Sequence, residues 1–82
     1  MMQLNFDAEL DARGVPCPLP LLRTKQALSG LAAGQVLRVV ATDAAAPRDF
    51  AAYAEATGHQ LLRVEQADAE WLLWLKKREA MP

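Results

Sequence analysis

Apolar residues change their period several times along the chain, and each change marks an element. Residues 8–12, AELDA, alternate loosely and read as a short strand, closed by the turn signal Gly14, Val15, Pro16. From Pro18 to Ser29 the spacing lengthens. Leu21, Thr24, Leu28 and Leu31 recur three and four residues apart, with Gly30 and Gly34 as stop signals, and this predicts a first helix. Pro18 and Pro20 fit its first turn, whose N–H groups have no intrahelical acceptor. Val36 to Thr42 is β-branched and nearly all apolar, the mark of a strand that is central or covered on both faces. After a turn at Thr42 and Asp43, Pro47 and Asp49 start a second helix over residues 47–57. Phe50, Tyr53, Ala54 and Thr57 share one of its faces, and Gly58 closes it. His59 to Glu65 and Glu70 to Lys76 read as strands joined through Gln66–Ala69 in a hairpin.

The order β-α-β-α-β-β predicts an α/β fold: a two-layer sandwich with a mixed four-stranded sheet and two helices on one face. Each helix is expected to cross over between neighbouring strands by a right-handed connection. The chain is read as one domain over residues 1–82 with its core at about 8–77, without repeat or linker. Helices on one face leave the other open. In the last strand Trp71, Leu73 and Leu75 point one way and Leu72 and Trp74 the other, so one tryptophan is expected on the open face. There it lies beneath Arg63, Lys76 or other long side chains, or forms a second contact surface or a homodimer interface.

Composition narrows the class. Hydrophobic residues make up 52% and charged ones 23%, enough apolar material for a core. Net charge is −1, which argues against direct nucleic-acid or anionic-membrane binding, a local patch of Arg23 and Lys25 aside. The stretch MMQLNFDAEL lacks the basic and apolar regions of a signal peptide, and no apolar run approaches the ~20 residues of a membrane span. The expected location is cytoplasmic.

The single cysteine, Cys17, stands in RGVPCPLPLL between Pro16 and Pro18, with Pro20 beyond. One cysteine cannot form an internal disulfide, so it is either buried filler or a reactive group. At or just before a helix N-cap it feels unpaired N–H groups and the positive end of the helix dipole, which favour thiolate over thiol and would equally favour an anionic persulfide. The prolines stiffen the loop and hold the thiol on an exposed corner. Arg13, Arg23 and Lys25 are the nearby cations. Leu21, Thr24, Ala27, Leu28 and Leu31 fall on the sheet-facing side of the helix. Leu19 and Leu22 fall elsewhere, with Arg23, Lys25 and Gln26, and would form a small docking surface of apolar anchors with a polar rim.

These residues resemble the TusA (SirA-like) family of sulfur carrier proteins. The matching features are Leu10-Asp11-Ala12-Arg13-Gly14, then Cys17-Pro18-x-Pro20, Gly34 before the strongest strand, Thr42-Asp43, Arg48-Asp49-Phe50 and Gly58-His59, over about residues 10–77. The resemblance implies that Cys17 accepts a sulfane sulfur as a persulfide from a cysteine desulfurase or rhodanese-like donor and hands it to an acceptor protein. This is a sulfurtransferase-type activity, or that of a carrier between enzymes, and it implies no cofactor. It also implies that Pro18, Pro20 and Asp43 shape the site, Asp43 from the loop facing the cysteine-bearing end, although its carboxylate equally suits turn capping. Arg13, Leu19, Leu22, Arg23 and Lys25 are the candidate partner-binding residues. Leu19 stands where the tRNA-thiolation carriers tend to have glutamate, and Ala44 where a proline is common. The first changes the charge beside the thiol and hence the partner set. Transfer RNA thiolation, molybdenum-cofactor synthesis and sulfur oxidation all use carriers of this kind.

Other chemistry is poorly supplied. His59, the one histidine, is expected at the far end of the second helix from the thiol, which argues against a Cys-His pair. One cysteine and one histidine fall short of a zinc ligand set. Two other functions stay open: a monothiol redox protein, for which no second cysteine exists to resolve a mixed disulfide, and a non-enzymatic binding or regulatory module that uses the corner for recognition alone.

Overall fold

In a computed structural model describing residues 5–16 and 18–79, the most apolar segments form the two central strands. The elements are β1 (Ala8–Ala12), α1 (Leu19–Ser29), β2 (Val36–Ala41), α2 (Ala46–Thr57), β3 (Gln60–Ala67) and β4 (Glu70–Lys76). They make one mixed sheet in the order β1-β2-β4-β3, with β1 parallel to β2 and β4 antiparallel to both neighbours.

The expected crossover between neighbouring strands holds for α1 and not for α2. The chain leaving β2 passes through α2 to β3 at the far edge, and β4 then inserts between them. The physical reason lies in composition. β4, with Trp71, Leu72, Leu73, Trp74 and Leu75 in succession, is apolar on both faces and gains most from a central place. β3 keeps Leu62, Arg63 and Val64 exposed and takes the edge, where a register shift between Leu61 and Arg63 interrupts its ladder. The hairpin turn is shorter than expected, because β3 continues to Ala67 and leaves only Asp68 and Ala69, with Asp68 at φ 57°.

The core lies between this sheet and both helices. Leu37, Val39 and Ala41 of β2 and Leu73 and Leu75 of β4 meet Leu28 of α1 and Phe50 and Ala54 of α2. The sheet-facing set that the spacing predicts packs there, with Thr24 and Leu28 buried and Leu21, Ala27 and, just beyond α1, Leu31 at the margin; Pro20, outside that set, is buried as well. Thr24 is buried with no partner for its hydroxyl among the described residues.

On the other face Trp74 is only 4% exposed. The guanidinium groups of Arg38 and Arg63 stand 5.8 and 5.9 Å from its ring, and Arg38 also lies 4.7 Å from the exposed ring of Phe6. Arg38 pairs with Glu9 and Arg63 with Glu65, so ion pairs between long side chains cover the tryptophan. Trp71 packs against the core instead.

Candidate functional site

The corner between β1 and α1 is built by turns. Gly14, at φ +74°, donates its N–H to Thr42 Oγ1 at 2.8 Å and ties the loop to the end of β2, while the Val15 N–H reaches the Ala12 carbonyl at 3.3 Å. The Leu19 N–H donates to the Pro16 carbonyl at 3.0 Å, and the Leu22 N–H to the Pro18 carbonyl at 3.2 Å. Pro18 is the N-cap of α1, and Pro20, within the first turn, is buried. Cys17 therefore immediately precedes the N-cap in sequence, and itself lies outside the described residues.

The first turn of α1 carries no acidic residue, and no side chain caps it, so nothing in the turn itself offsets the positive end of its dipole. Across from it stands the start of α2. Pro20 and Leu21 share a cavity of ≈ 10 Å³ with Asp43, Ala46, Asp49 and Phe50. Asp43 Oδ1 accepts the Ala45 N–H at 2.8 Å and shapes the turn into α2, the capping role open to it from sequence. Asp49 occupies the first turn of α2 and lies 3.4 Å from Arg48 Nε. The structure thus brings Pro20 and Asp43 together and adds Asp49. Sequence alone does not single out Asp49 for the site; the available signal is its place in Arg48-Asp49-Phe50 at a helix start.

The candidate partner-binding residues divide. Leu19 and Leu22 are 41% and 52% exposed on the outer side of α1, and Arg23 is exposed with them. Lys25 turns toward a groove between the two helices. Arg13 is already engaged. Its Nε and Nη2 donate to Asp11 Oδ1 and Oδ2 at 3.0 and 2.9 Å, and its Nη1 lies 3.4 Å from Glu70 Oε2. The hydrogen bonds from Arg13 hold the Asp11 carboxyl down at about 2. His59 follows the C-terminal glycine of α2, where its Nδ1 accepts the Arg78 N–H at 3.0 Å. Among the described residues no cluster of His, Cys, Asp and Glu could hold a metal ion, and no helix is long and apolar enough to cross a membrane.

This arrangement, a four-stranded mixed sheet with two helices, is shared with a solved SirA-like protein. The crystal structure of that protein, from Desulfitobacterium hafniense, superposes with a TM-score of 0.77 at 28% identity, covering 89% of this chain and all of that one. The family described as Sulfurtransferase TusA matches residues 8–77, and the chain belongs to it. Sulfur carrier protein TusA of Allochromatium vinosum is 44% identical over 73 residues, which cover 89% of this chain and 96% of that protein. Its namesake in Pseudomonas putida GB-1 is 39% identical over 78 residues, covering 95% and 98%.

Proposed function

We propose that the chain is a sulfur carrier that works as a single domain in the cytoplasm, where thiols stay reduced. The observation that carries the reading is the place of Cys17, directly before the N-cap of a helix whose first turn holds no acidic side chain, in a chain of the TusA family. The Cys17 thiolate attacks the outer sulfur of a donor persulfide, R–S–SH. A new S–S bond forms as the donor's breaks, giving Cys17–S–SH and the donor thiolate, with no net oxidation. An acceptor thiolate then attacks the outer sulfur, and Cys17 leaves as thiolate. The helix start favours the anion in both steps.

The donor is a persulfide-bearing protein such as a cysteine desulfurase or a rhodanese-like enzyme, and the acceptor is a second protein. Pro18, Pro20 and Asp43, joined by Asp49, shape the corner. Leu19, Leu22 and Arg23 form the surface a partner meets, with Arg13 beside it and Lys25 turned away toward the groove between the helices. Leu19 favours an acceptor other than that of the tRNA-thiolation carriers.

The test is intact mass of the native chain and of Cys17→Ser after incubation with a cysteine desulfurase and free cysteine, without reductant. The native chain should gain one sulfur atom that reductant removes, and the variant none. Failure with that donor, with polysulfide and with a thiosulfate-fed rhodanese would overturn the reading. The exposed Leu19 and Leu22 support a second one, a recognition module without sulfur chemistry. Full biological function of Cys17→Ala would favour it.

A further inference from the structure

Away from the proline-framed corner, the C-terminal ends of α1 and α2 and the residues just after β4 enclose an open groove of ≈ 470 Å³. Lys25, Lys77 and Arg78 line it with His59, and no carboxylate does among the described residues. Two of these cations already serve the fold. Lys77 Nζ donates to the Leu31 carbonyl at 2.5 Å and Arg78 Nη1 to the Thr57 carbonyl at 3.1 Å, each closing the end of a helix. Both keep further N–H groups, since an ammonium has three donors and a guanidinium five. Lys25 has no acceptor among the described residues, so helix capping does not account for it.

His59 adds a neutral donor. Its Nδ1 accepts the Arg78 N–H, which leaves the proton on Nε2. Burial, with Arg78 and then Lys77 nearby, lowers its pKa and keeps the ring in that form. The Tyr53 ring stands 5.8 Å from it and also borders the groove, with Leu28 and Ala56 giving an apolar floor. Point charges, a planar fork and a neutral donor around one concavity, with no carboxylate among the described lining residues and N–H groups to spare beyond those that cap the helix ends, suit a ligand with several negative oxygens.

We infer that this groove binds a small polyanion of the phosphate class, a diphosphate or phosphorylated metabolite, held by Lys25, Lys77 and Arg78. Lys25 lies six residues after Leu19 on α1, about 9 Å along the helix axis, so the site is separate from the thiol-bearing corner. It stands independently of the sulfur-carrier reading, and its test reads binding alone.

The probe is inorganic pyrophosphate, titrated into the full chain at low ionic strength and followed by amide chemical shifts. Saturable shifts should centre on Lys25, His59 and Arg78. Lys25→Gln should weaken binding about tenfold or more, by loss of a charge-assisted contact. Lys76→Gln removes the same charge from the other face of the sheet and should change affinity by no more than about twofold. Absence of saturation, or equal weakening by both variants, would show general charge screening in place of a site and overturn the inference.

Discussion

Asp11 and Arg13 sit two residues apart on an exposed edge, and their pairing alters how each is read. From sequence Arg13 is one of three cations near the thiol. In the fold it is clasped by Asp11 and approached by Glu70, 57 residues away, a contact no local pattern announces. The hydrogen bonds from Arg13 lower the Asp11 pKa from 3.8 to about 2. A lowered carboxylate pKa favours the folded chain above pH 3.8, and that contribution disappears as pH falls toward about 2. A carbon-detected NMR titration should place the Asp11 carboxyl midpoint at about 2 in the native chain and return it toward 3.8 in Arg13→Gln. Equal midpoints in the two would mean that the clasp does not persist in solution.

At the scale of elements the periodicity was sufficient to place every helix and strand, with shifts of one or two residues at five of the twelve ends. The two helices terminate differently. Gly30 ends α1 in an ordinary right-handed conformation at φ −89°, whereas Gly58 ends α2 in the left-handed region at φ 85°. A Cβ at Gly58 would meet the Arg78 side chain at 3.6 Å, an ordinary contact, so the cost of adding one is conformational. Gly58→Ala should destabilise the protein by about 1–2 kcal/mol in urea unfolding. Gly30→Ala should leave stability within about 0.5 kcal/mol of the native chain. Similar losses in both would show that the handedness of the cap is not the cause.

Over the whole molecule, the sheet face without helices is closed by the chain's own arginines. Trp74 is as deeply covered as a core residue, although no second layer lies over it. Its indole N–H has no partner among the described residues, so its contribution comes from packing and the two guanidinium contacts. Trp74→Ala should cost about 3–5 kcal/mol by loss of a large buried ring. Trp74→Phe keeps an aromatic face, removes no hydrogen bond and should cost less than about 2 kcal/mol. Urea unfolding of the two variants would decide, and a loss from Phe as large as that from Ala would point to a role for the N–H.

The sequence by itself determined the element order, the helix faces, the fold class and the placing of Cys17 immediately before a helix start, because each follows from local period, proline chemistry and glycine punctuation. Proximities between distant segments were decided only by tertiary structure. β4 lies between β2 and β3, Asp49 shares a cavity with Pro20, and Lys25 joins Lys77 and Arg78 in one groove. The reason is physical. A local pattern fixes which face of an element is apolar, whereas the choice among neighbours for that face is settled by competition for burial across the whole chain.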